Sequence, residues 1–94
     1  MAEFNILYWQ AIPSLVEGKD DDGAHKIQLS ERFQVLIDHV AMKSGLAGTD
    51  AYLDEWTRGQ PEQRDGTAED VAKAVAEELE AKFDDIRTAE LAKL

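Results

Sequence analysis

The side chains of this chain whose types and spacing bear on chemistry are few: two histidines, a run of aspartates and two aromatic pairs. His25 follows the run Asp20-Asp21-Asp22-Gly23, and His39 follows Asp38 directly. An imidazole beside a carboxylate suggests proton transfer or cation binding. Asp38 and His39 are placed on a helix by the surrounding pattern, however, and adjacent helical residues do not face each other. A His39 dyad would therefore need its partner from elsewhere in the fold. The aspartate run resembles a calcium loop but lacks the alternate-position ligands and the glutamate six residues beyond the glycine. A solvated turn explains it more simply. No Gly-rich phosphate loop, H-E-x-x-H or G-x-S-x-G motif occurs, and the absence of cysteine excludes thiolate chemistry from this chain. No catalytic residue, metal ligand or cofactor is assigned. A small ligand-binding domain or enzyme using His25 or His39 would be recognised by a concave pocket containing either imidazole.

The aromatics pose a sharper question. Tyr8-Trp9 leads into Ile12-Pro13, and Tyr52 and Trp56 form a second pair four residues apart. Such side chains bury large areas and carry polar tips, and they are also the types enriched at binding hot spots. Two readings stand. In one, the pairs meet in a mini-core between a strand and a short helix. In the other, Trp9 is partly displayed, and Tyr8, Trp9, Ile12 and Pro13 with Trp56 and Arg58 form a contact surface for a partner.

The elements that would position these residues follow from periodicity. Phe4–Trp9 reads as a strand, ended near Pro13 by the proline's missing donor and its restriction of Ile12. Residues 17–23 read as an exposed acidic loop. Lys26–Leu29 alternates and would return antiparallel to the first strand. Ser30 suits an N-cap, and Phe33, Leu36, Ile37, Val40 and Ala41 recur at helical spacing before a left-handed stop at Gly45. A short helix carries Tyr52, Leu53 and Trp56. Residues 60–66 read as a linker. Thr67 to Asp70 resembles a capping box. A helix then runs to Leu94 with Val71, Val75, Leu79, Phe83 and Ile86 in one stripe. At 1.5 Å per residue that helix would reach roughly 40 Å, beyond the roughly 20–25 Å width of so small a domain. Part of it must project, bend or pack on another molecule. The expected fold is a single α+β domain over residues 1–94: a two-stranded antiparallel sheet, a core helix, a short aromatic helix and a long C-terminal helix.

Twenty acidic and ten basic residues give a formal charge of −10. Phosphate backbones and anionic lipid surfaces are repelled over a Debye length of roughly 8–10 Å, so direct nucleic-acid and membrane binding are not expected. Basic proteins are attracted, which admits an acidic mimic acting through Asp20, Asp21, Asp22 and the C-terminal helix. No apolar run approaches the roughly 18–20 residues of a membrane span, and the N-terminus lacks a basic signal region, so a cytoplasmic protein is expected.

The ordered set Tyr8-Trp9-x-x-Ile12-Pro13, Gln28-Leu29-Ser30-Glu31-Arg32-Phe33, Ile37-Asp38, Ala41-Met42, Gly45 and Asp50-Ala51-Tyr52-Leu53-x-x-Trp56 resembles a small bacterial family, the virulence factor domain. The likeness covers about residues 4–59. Where the family commonly carries Arg-Asp, this chain has Gln10-Ala11, so no role that needs the charged pair is carried over. The resemblance implies a short accessory protein without an established enzymatic activity, associated with folate and corrinoid one-carbon enzymes. The leading expectation is a non-catalytic protein-interaction or accessory module. It would bind a protein partner or itself through the aromatic surface and the C-terminal helix.

Overall fold

The computed structural model of the protein describes residues 2–94; Met1 lies outside the described residues. From Ala2 the chain makes three strands in succession, β1 (Ala2–Trp9), β2 (Ile12–Asp20) and β3 (Gly23–Gln28). Helix α1 (Glu31–Lys43) and a single turn, α2 (Asp50–Asp54), follow. Two short strands, β4 (Trp56–Arg58) and β5 (Glu62–Arg64), lead into α3 (Ala68–Ala81) and α4 (Phe83–Leu91). The sheet order is β3-β2-β1-β4, with β5 also on β1 and every pairing antiparallel. The α+β class therefore holds, but the expected two-stranded sheet is overturned: the described residues form a five-stranded sheet with four helices.

Three local causes account for the difference. Residues 17–20 are poor strand formers, yet Glu17, Gly18 and Lys19 are paired with both β1 and β3, and ladder bonds on both sides outweigh intrinsic preference. Only Asp21 and Asp22 remain as a turn. Pro13 does not end a strand, because it sits where the β1–β2 register slips from Leu7↔Leu15 to Tyr8↔Pro13. An irregularity of this kind tolerates a missing donor. The returning strand β3 pairs with β2 rather than with β1. The expected linker contains β5, which pairs with Ala2–Phe4, while β4 pairs with Leu7–Trp9. The two short strands share one edge of β1, and the Gly59 N–H bridges them to the Ile6 carbonyl at 2.8 Å.

Helix α1 follows its sequence pattern. Phe33, Leu36, Ile37, Val40 and Ala41 are its buried residues. Gly45, at φ 74°, closes the helix with the paired bonds Leu46 N–H to Ala41 and Gly45 N–H to Met42 of a Schellman motif. Ser30 is the N-cap residue but makes no side-chain cap; its N–H and hydroxyl donate to Glu80 instead.

The C-terminal stretch is not one helix. It breaks at Lys82, where φ and ψ are −94° and 2°. The apolar stripe explains the break. From Val71 to Phe83 it advances in steps of four, and each step overshoots a full turn by roughly 40° at 3.6 residues per turn. After three steps the stripe has rotated by roughly 120°, so a straight helix could not seat both Val71 and Phe83. The bend lets Val71 and Val75 pack in the core with the sheet, while Phe83 meets Phe33 of α1 edge-on at 5.0 Å.

The N-terminus of α3 is fixed to β2. Thr67 Oγ1 accepts the Asp70 N–H, the half of the capping box that the sequence shows. Asp20 takes the Ala68 N–H at 2.8 Å with one carboxylate oxygen and the Asp22 and Gly23 N–H groups with the other. Those donors, the Ala68 N–H foremost, hold its carboxyl below the usual carboxylate range. Gly18 permits the approach, since a Cβ there would stand 2.3 Å from the Ala68 carbonyl oxygen.

Candidate functional site

The six residues expected to form a contact surface do not form one. Trp9 and Ile12 are fully buried, and Pro13 is buried with them. Trp9 and Ile12 face each other across the hairpin and belong to the same core cluster as Phe33 and Ile37. The Trp9 indole N–H donates to the Tyr52 carbonyl at 2.9 Å, and its ring lies 5.4 Å from that of Tyr52. Trp56 stands edge-on to Tyr52 at 6.2 Å, but from β4 rather than from the short helix. The aromatic pairs thus meet, and they meet as core. A displayed Trp9 is ruled out by its complete burial.

Tyr8 is half-buried in a cleft beneath the Gly59-Gln60-Pro61 arch; burial, assisted by Glu62, raises its phenol above the ordinary value. Arg58 is exposed. It donates to Asn5 at 3.0 Å and reaches Glu17 at 3.4 Å. Lys26 lies 3.6 Å from the same Glu17 carboxylate, whose side chain is only 10% exposed. Asn5, Glu17 and Lys26 are in register on three strands, so this is a cross-strand ion-pair row on the sheet face opposite Gly18 and α3.

The histidines separate. His25 is half-buried in an open depression with Asp20, Thr67 and Glu69. Among the described residues, no group of three metal-ligating side chains is assembled. His39 is exposed and lines a groove of about 310 Å³ between α1 and α4. Arg32, Val35, Leu36 and His39 form one wall at i, i+3, i+4 and i+7, the spacing of a single helix face. Phe83, Arg87 and Leu91 form the other at intervals of four.

Glu80, near the end of α3, is tied to the start of α1 beside the groove. Its carboxylate accepts the Ser30 N–H and hydroxyl, each at 2.7 Å, and Arg32 Nε and Nη2 at 3.2 and 3.0 Å. Arg32 Nη2 also donates to the Glu80 carbonyl at 2.7 Å. Burial opposes ionisation of Glu80, but these donors outweigh it and hold the carboxyl below the usual range. The Arg32 guanidinium is thereby fixed 4.5 Å from the Phe83 ring centre, a cation–π contact. Val35 is 59% exposed and Met42, on the same side of α1 one heptad further on, is 71% exposed. Sequence periodicity missed the α1 half of this site because Val35 and Met42 fall outside the buried stripe, whereas the other half, Phe83 and Leu91, lies on the C-terminal helix expected to meet a partner. The signal was an apolar residue at each end of the otherwise polar face Val35-x-x-x-His39-x-x-Met42.

The fold and groove define a small α+β domain in which one face of an antiparallel sheet carries helices, two of which leave a groove with an apolar floor. The family described as "Virulence factor" matches residues 7–92, and the chain belongs to that family. The match continues through α3 and α4, beyond the residues 4–59 over which the resemblance was legible. No curated protein and no solved structure matches the chain. None of the described helices is long and apolar enough to cross a membrane.

Proposed function

We propose that this member of the virulence factor family is a non-catalytic protein-interaction or accessory module whose contact surface is the α1–α4 face. The observation that carries the reading is the exposure of Val35 and Met42 on α1 beside a groove floored by Leu36, Phe83 and Leu91. The domain places Trp9, Ile12 and Phe33 fully inside its core, yet leaves two large apolar side chains of one helix face in water. Exposed apolar groups aligned along a groove suit the docking of a partner element. The folate and corrinoid one-carbon enzymes suggested by the family resemblance are the first partners to try.

The acidic-mimic reading gains nothing from the geometry. Asp20 is committed to the α3 N-terminus, and Glu69, Glu78 and Glu80 are each paired to a cation within the domain.

Val35→Glu and Met42→Glu test the proposal. Both sites are exposed, so the melting temperature should stay within a few degrees of the parent. Cross-linked partners recovered from the native host by the parent protein should be lost by each variant. Equal recovery by parent and variants would remove the α1–α4 face as the contact surface.

A further inference from the structure

We infer that the segment received by the α1–α4 groove is an acidic amphipathic helix, its apolar side chains on Leu36, Phe83 and Leu91 and its carboxylates on Arg87 and His39. The inference rests on the reading of this face as a contact surface and adds the chemistry of the partner. Three observations carry it.

The first is charge. On a chain of net charge −10, the groove lining contains Arg32, His39 and Arg87 and no carboxylate. Of the four arginines, Arg32, Arg58 and Arg64 are each paired with a glutamate. Arg87 alone has no carboxylate within ion-pair distance among the described residues. An unpaired guanidinium at the rim of an apolar floor, on so acidic a molecule, selects an incoming carboxylate.

The second is length. The α1 wall spans seven residue steps from Arg32 to His39, and the α4 wall eight from Phe83 to Leu91. At 1.5 Å per residue each extends roughly 10–12 Å, which fits two turns of a docked helix with anchors at i, i+3, i+4 and i+7. The third is continuity. Met42, one heptad beyond the groove-lining Val35, prolongs the apolar surface along α1 past the groove, further than a small carboxylate amphiphile would cover.

The test uses the full chain, isotope-labelled, with two synthetic amphipathic helical peptides of 18 residues: leucine on one face and glutamate on the other, and a counterpart with lysine for glutamate. The glutamate peptide should shift the amide resonances of Val35, His39 and Arg87. Arg87→Glu should weaken its binding by roughly tenfold, as expected for one close charge pair, without moving the melting temperature. If only the lysine peptide shifts those amides, the charge assignment is wrong although the groove remains a contact surface. If neither peptide shifts them, the helix-docking assignment is overturned, while the fate of the face as a contact surface is still decided separately by Val35→Glu and Met42→Glu. If the chain sediments as a dimer that Arg87→Glu dissolves, the occupant is a second copy, and the acidic-partner inference fails.

Discussion

Trp9→Phe removes the indole N–H while keeping an aromatic ring, and its cost follows from what surrounds Trp9. The residue is fully buried, so the lost half of the indole leaves a void on the order of 40 Å³, about 1 kcal/mol at the ~24 cal/mol per Å³ measured for core cavities. The Tyr52 carbonyl loses its 2.9 Å donor but keeps a longer bond from the Glu55 N–H at 3.4 Å. Its penalty therefore lies at the lower end of the range for an orphaned buried acceptor, again about 1 kcal/mol. The sum, about 2–3 kcal/mol including weaker stacking on Tyr52, is a large share of the roughly 5–14 kcal/mol available to a domain of this length. It corresponds to a fall in melting temperature of about 10–20 °C. Urea unfolding followed by the fluorescence of the remaining Trp56 measures it directly. Trp56→Phe is the control: Trp56 is only half-buried, and its indole makes no hydrogen bond to the described residues, so the loss should be at most about 1 kcal/mol. If Trp9→Phe falls within about 0.5 kcal/mol of the parent while Trp56→Phe costs more, the placement of Trp9 as the core anchor is wrong.

Gly18→Ala should cost about 2–3 kcal/mol by chemical denaturation, because a Cβ 2.3 Å from the Ala68 carbonyl oxygen forces α3 off the sheet; a neutral outcome would refute that close approach. Gln10, the one non-glycine residue with positive φ among the described residues, at 53°, carries left-handed strain, and Gln10→Gly should raise stability by about 0.5–1 kcal/mol after the extra entropy of a glycine in the unfolded chain. Glu80→Gln should lose about 1–2 kcal/mol at pH 7. Since the folded Glu80 carboxyl titrates below its unfolded value, its stabilising contribution is fully present above the unfolded value of about 4.3. The gap from the parent should close as pH falls through and below that value, and a constant gap between pH 7 and 3 would be inconsistent with the Ser30–Arg32–Glu80 network. Glu90 is 4% exposed; one of its oxygens lies 2.6 Å from the exposed Lys93 ammonium, but outside hydrogen-bonding geometry. Glu90→Met should therefore match or exceed parent stability by up to about 1 kcal/mol in thermal melts, and a clear loss would show that the ion pair stabilises the helix end.

Helix α1 was legible in the sequence to the residue, because its five buried side chains, its N-cap position and its glycine stop are all local signals. The sheet was not. The strand character of Glu17-Gly18-Lys19 comes from neighbours on both sides, and no window of the sequence contains those neighbours. Gly18 reads as a loop glycine in isolation, yet its role is to admit the α3 backbone, a contact fifty residues away. The meeting of Tyr52 and Trp56 with Trp9 was foreseeable from residue type, but not which of them would be covered. The hairpin seals Trp9 against Ile12, whereas Trp56 lies on the outermost strand pairing with β1.

The bend at Lys82 links the fold to the proposed function. A C-terminal helix with strict heptad spacing would have kept its apolar stripe on one side, drifting only about 20° per heptad, and would not have turned Phe83 toward α1. The steps of four rotate Phe83 toward α1, and Glu80, one turn earlier, ties that junction to Ser30 and Arg32. Beyond this tie α1 and α4 run side by side, held at Phe33–Phe83 and leaving a groove with Arg87 and His39 at its rim. The same spacing that ends α3 at Ala81 therefore creates a second helix that turns toward α1. The contact surface proposed for this chain thus follows from how the apolar stripe of α3 and α4 turns, rather than from its aromatic pairs.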